Sequence, residues 1–152
     1  MVIKFLNSKE LKVITKILKE QFGYDNEMNY YFFRNTKNKI YIINKEIARL
    51  NINNLRIDTF GLYLGEVYNN ELRLSIEGSQ IIGPLSKKNI VEIPDYQVGS
   101  WMKGEDIDYS GKEIKGFVIV KNNKDFFGCG KIQDRKIRNY ISKARKLKIV
   151  NE

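Results

Sequence analysis

Histidine is absent from this 152-residue sequence, and cysteine occurs once, at Cys129. One cysteine cannot close an internal disulfide, and one Cys without any His cannot supply the ligands of a structural zinc site. A Cys nucleophile needs a base or a lowered pKa. The nearest basic neighbour in sequence is Lys131, so Cys129 reads as a small buried hydrophobe. No apolar stretch approaches the ~20 residues that span a bilayer. The first residues lack the basic-then-apolar order of a secretory signal, so a cytoplasmic location without membrane contact is expected. A methyltransferase would need a glycine-rich cofactor loop at a strand-to-helix turn. Phe127-Gly128-Cys129-Gly130 is strand-like instead, with no helix after it, and no P-loop is present. Glu105, Asp106 and Asp108 form the kind of acidic loop that is usually just solvated. The chain therefore reads as non-enzymatic, and no cofactor or metal is expected.

What the sequence does have is positive charge. Lys and Arg total 27 against 18 Asp and Glu, a net charge of +9, with enough hydrophobic residues (42%) for a packed core. The charge is uneven: residues 1–90 carry +5, residues 91–111 carry −4, and residues 112–152 carry +8. A basic segment of this kind attracts polyanions, of which nucleic acid is the commonest. The plainer reading is a solvated lysine-rich surface.

Local patterns divide the chain near residue 85. Asn7 or Ser8 can cap a helix, with Glu10 completing a capping box. Leu11, Ile14, Leu18 and Phe22 then recur at helical spacing, and Gly23 ends the segment. Lys9, Lys12, Lys16 and Lys19 line the opposite, solvated face. Residues 30–33 and 40–43 predict a hairpin across Asn35-Thr36-Lys37-Asn38, followed by a short helix over 44–50. Residues 55–67 predict a strand that turns at Asn69-Asn70 into a second strand over 71–76. Residues 79–85 form a short apolar run broken by Gly83-Pro84. Beyond it, strands are predicted over 90–93, 114–121, 126–132 and 136–141, with one helix near 95–103. Gly116-Phe117-Val118-Ile119-Val120 is apolar on both faces, as a small barrel requires. Gly128 and Gly130 in the returning strand mark a bulge, a bend or close approach of another backbone.

These residues resemble a known family. Trp101-Met102-Lys103-Gly104-Glu105-Asp106-Ile107, followed by Gly116 with its apolar run and by Phe127-Gly128-Cys129-Gly130-Lys131, is similar to the PUA domain of pseudouridine synthases and archaeosine transglycosylases. Lys136-Ile137-Arg138-Asn139-Tyr140 and Lys143-Ala144-Arg145-Lys146 resemble the tails of Sun-family RNA methyltransferases. The glycine-bearing strand is less regular than the Pro-Gly-Val form many PUA domains carry. Ile57-Asp58-Thr59-Phe60-Gly61-Leu62-Tyr63-Leu64-Gly65, with Leu72-Arg73-Leu74-Ser75 and Gly83-Pro84-Leu85, resembles the pre-PUA domain of a nucleolar large-subunit ribosome-biogenesis factor. The resemblance implies an α+β protein: an α/β pre-PUA domain over 1–85 packed against a small PUA β-barrel over 86–152. It implies binding of rRNA or tRNA, with protein partners drawn from ribosome assembly or an RNA-modifying enzyme.

Candidate RNA contacts concentrate late in the chain. Lys131, Arg135, Lys136, Arg138, Lys143, Arg145, Lys146 and Lys148 face one acid in that stretch, Asp134. Arg suits bidentate phosphate contact, and Lys supplies a point charge. Tyr140 lies among them as a stacking candidate, with core packing as its alternative. Trp101 and Lys103 form a second candidate, in which Trp101 is equally readable as packing.

Overall fold

The computed structural model describes residues 4–35, 38–50 and 61–142. Residues 55–60 of the expected 55–67 strand lie outside that description. So do Thr36 and Lys37 of the first turn, and Lys143, Arg145, Lys146 and Lys148.

Helix α1 (Ser8–Phe22) starts as its sequence requires. Asn7 Oδ1 accepts the Glu10 N–H at 2.8 Å, and Glu10 Oε1 accepts the Asn7 N–H at 3.3 Å. Those bonds satisfy two donors that a helix start otherwise leaves unpaired. Gly23 ends the helix at φ +63, with its N–H on the Leu18 and Lys19 carbonyls. The buried stripe is Ile14, Ile17, Leu18 and Phe22, whereas Leu11 stays exposed. On the solvated side, Lys16 pairs with Glu20 at 3.8 Å and Lys19 with Asp25 at 3.7 Å.

The stripe covers one face of an antiparallel meander, β1 (Lys4–Phe5), β2 (Tyr30–Arg34), β3 (Lys39–Asn44), β4 (Leu62–Tyr68) and β5 (Glu71–Leu74), in that spatial order. Alternation sorts the side chains. Phe32, Ile40, Ile42, Leu64, Leu72 and Leu74 point to the core under α1, while Phe33 and Ile43 pack on the other face with Ala48 of α2 (Lys45–Leu50). Each fully buried aliphatic contributes roughly 1.5–3 kcal/mol.

The run after β5 is helical. Ile76, expected in the strand, instead opens helix α3 (Ile76–Ile82), because Ser75 Oγ accepts the Gly78 N–H at 2.9 Å and caps it. A 3-10 turn over Gly83–Leu85 follows. Then come β6 (Ile90–Glu92), α4 (Asp95–Met102), β7 (Ile107–Asp108), β8 (Phe117–Asn122), β9 (Asp125–Gln133) and β10 (Lys136–Asn139). They build a second sheet ordered β6-β8-β9-β10-β7, in which only β6 and β8 run parallel.

Strand β8 is buried on both sides, as its unbroken apolar run predicts. Phe117 and Ile119 enter the core beneath α1, with Phe126 and Cys129 of β9. Val118 and Val120 enter a second core with Trp101, Ile107 and Ile137. The two sheets are thus joined through shared apolar packing on either side of residue 85. The strand glycines have two separate causes. Gly128 adopts φ +79, a left-handed conformation natural to glycine. Gly130 lies where a Cβ would come within 2.6 Å of Ile137 Cγ2, 2.7 Å of the Arg138 carbonyl and 2.8 Å of Trp101 Cη2.

Candidate nucleic-acid interface

The basic hairpin is built by β9 and β10, with Gln133 paired to Lys136. Its two turn residues, Asp134 and Arg135, have φ of +54 and +58. Left-handed φ at both positions matches the twist of a tight hairpin loop, a place usually filled by Asn-Gly. An arginine there costs stability and is held at the tip of the hairpin. Arg135 is exposed, and among the described residues no carboxylate lies within ion-pair distance of it.

The other described cations of the hairpin are paired. Arg138 donates to Asp106 Oδ2 at 3.0 Å and to Asp134 Oδ2 at 3.5 Å. Lys136 Nζ lies 3.5 Å from Asp108 Oδ1, and Lys131 Nζ 3.3 Å from Glu71 Oε2. The acids arrive from elsewhere in the chain, because β7 pairs with β10 and sets Asp108 opposite Lys136. The acidic 91–111 segment therefore folds against the basic one and offsets its field. The Asp106 carboxyl lies below the usual carboxylate range, first because the Asn139 N–H donates to it and then because of Arg138. The Arg138 guanidinium is correspondingly raised by its bond to Asp106.

Lys131 and Tyr140 do come together. Lys131 Nζ sits 4.4 Å from the Phe117 ring centroid and 5.9 Å from that of Tyr140. Tyr140 meets Phe117 edge-on at 5.3 Å and remains 37% exposed. Its ring lies at the surface, at the opposite end of β10 from Arg135. Lys103 is exposed just beyond α4, with no ion pair among the described residues.

Trp101 requires a correction as a surface candidate. It is fully buried, and its indole N–H donates to the Phe127 carbonyl at 2.8 Å. Asn139 Nδ2 donates to the Trp101 carbonyl at 2.8 Å, which ties the end of α4 to β10. The ring is a core anchor and cannot stack on a base. Cys129 is buried as expected, and desolvation pushes its thiol up to about 12.

Residues 88–146 match the family described as the methyltransferase RsmF PUA domain. This part of the chain is a PUA domain. The match agrees with its curled five-stranded sheet and makes the whole fold α+β, with a PUA-type small β-barrel at its carboxy-terminal side. A PUA domain points to RNA as the ligand. No curated protein matches the chain. Among the described residues no helix is long and apolar enough to cross a membrane.

One feature of the PUA domain escaped the reading of the sequence. Tyr96, in the first turn of α4, is 82% exposed. With Gln97, Tyr109 and Arg135 it borders a groove of about 590 Å³. The groove thus sets an exposed aromatic beside the one hairpin cation that carries no acidic partner among the described residues. Its signal was weak, since a lone tyrosine after Pro94-Asp95 is unremarkable until the hairpin tip is placed next to it.

Proposed function

We propose that this protein is a non-catalytic RNA-binding protein acting in rRNA processing and ribosome biogenesis or in tRNA maturation. It holds RNA through the basic surface of its PUA domain. The observation that carries this reading is the PUA match over 88–146. Arg135, Lys103, Tyr140 and Tyr96 are exposed on that domain. Lys143, Arg145 and Lys146 follow in sequence and add charge that no acid in that stretch offsets. The absence of histidine and the buried, protonated Cys129 support a binding role over a catalytic one.

A second reading is a specificity subunit that recruits an RNA-modifying enzyme. It draws support from the family match, whose description is the PUA domain of a methyltransferase. A catalytic partner that co-purifies with the chain would favour it.

The test is binding of the purified protein to labelled rRNA and tRNA fragments across a salt series. It runs beside a variant with Arg135, Lys136, Arg138, Lys143 and Arg145 changed to Ala. Loss of affinity together with a shallower salt dependence, about 0.7 per phosphate on single strands, is expected. No binding by the wild type at low salt would overturn the reading.

A further inference from the structure

The face of the first sheet opposite α1 carries an aromatic row. Phe33 stacks on Tyr41 at 5.4 Å with an interplanar angle of 12°, and Tyr41 meets Tyr63 at 5.4 Å. At its β4–β5 end the row opens into a cleft of about 510 Å³. That volume falls within the ~300–1,000 Å³ of small-ligand sites. Tyr41 and Tyr63 enter the cleft from the first sheet, and Tyr140 enters from the PUA domain. Lys39 Nζ lies 5.7 Å from the Tyr63 ring centroid. Arg73 is held at 2.9 Å by Glu66, which fixes its guanidinium on the rim. Among the described residues no carboxylate is recorded within ion-pair distance of Lys39; Glu66 lies opposite it in the β3–β4 ladder, and Glu77 also lines the cleft. Ser142 also lines the cleft.

Aromatic rings flanked by cations are the means by which proteins hold single strands, with bases on the rings and phosphates on the cations. A paired base presents no free face to such a cleft. We propose that the cleft between the first sheet and the PUA domain is a binding site for an unpaired nucleotide of an RNA strand. Tyr63 and Tyr41 take the base, Lys39 takes the adjoining phosphate, and Tyr140 closes the opposite wall. The site rests on the RNA-binding reading and adds to it a preference for single strands, supplied by residues before the PUA domain.

The test uses the full chain and a single-stranded RNA octamer carrying 4-thiouridine, with a duplex of the same sequence as comparator. Crosslinks to Tyr41, Tyr63 or Tyr140, read by mass spectrometry, are expected. Tyr63→Leu should weaken octamer binding by roughly 5- to 150-fold, the range for one stacked base, and leave duplex binding unchanged. Tyr63→Phe should bind as the wild type does. Lys39→Gln, at a half-buried position, should reduce the salt slope for the octamer alone. Octamer binding that survives both Tyr63→Leu and Lys39→Gln, or crosslinks confined to residues outside the cleft, would overturn the site while leaving RNA binding intact. A wild type that binds neither octamer nor duplex would overturn both.

Discussion

Replacing Arg135 by glycine separates what the β9–β10 turn costs the fold from what it offers RNA. Arg135 has φ +58 in a two-residue loop, a conformation that costs a side-chain-bearing residue about 1–2 kcal/mol. Glycine removes that cost but loses about 0.5–1 kcal/mol through its freer unfolded state. The fold should therefore gain about 0–1.5 kcal/mol, and a gain of 1 kcal/mol would raise the melting temperature of a chain this size by roughly 2–4 °C. Arg135→Ala keeps the strain and should melt at or below the wild type. Against RNA the two variants should behave alike. One lost phosphate contact lowers the salt slope by about 0.7 and, at about 0.1 M salt, the affinity roughly fivefold. Thermal melts and anisotropy titrations with a labelled rRNA fragment measure both quantities. If Arg135→Gly binds with undiminished affinity and slope, Arg135 does not touch phosphate. If it melts well below the wild type, the turn is not the source of strain.

Three further outcomes follow from the packing and the ion pairs. Gly130→Ala should cost more than about 2 kcal/mol, because the added methyl meets the Arg138 carbonyl as well as Ile137 and Trp101, and backbone cannot rotate away; urea unfolding measures it. Cys129 should resist thiol reagents at pH 8 in the folded protein and react only on unfolding, since burial holds its thiol near 12. Asp106→Asn should lower the melting temperature at neutral pH while leaving Arg138 only its longer contact to Asp134, and so steepen the RNA salt slope. Because the folded-state Asp106 carboxyl is depressed, its contribution is complete above the unfolded value near 4 and is lost as pH falls through the folded value. The gap between variant and wild type should therefore close in acid, which a melting series from pH 7 to pH 3 would reveal.

Local signals were legible wherever neighbouring residues decide the conformation. The Asn7–Glu10 capping box and Gly23 set α1, and the alternation of β5 set which of its residues face the core. The segment after Ser75 was not legible as a helix. It is short, carries Gly78, and is fixed partly from outside, through the buried Ser79 hydroxyl that accepts the Gly128 N–H from β9 at 2.8 Å. The candidate interface was legible in part for the same reason. Counting charges along 131–148 finds one acid, yet Glu71, Asp106 and Asp108 reach that surface only through folding. Trp101 beside Lys103 looked like a stacking pair in one dimension, whereas in three the ring packs over Gly130. Tyr41 and Tyr63 passed as ordinary strand formers, because the cleft they line exists only once Tyr140 arrives from the other sheet.

The double-sided burial of β8 bears on how this protein can be divided. A fragment beginning after residue 85 would keep Val118 and Val120 covered but would leave Phe117, Ile119, Phe126 and Cys129 without α1, β4 and β5 against them. Such a fragment would expose a contiguous apolar surface of the kind that drives aggregation. Strand β8 thus acts as a common wall between two rooms. Trimming at residue 85 would unroof that wall. Any transplantation of the RNA-binding part into another chain would have to carry α1 and the first sheet with it.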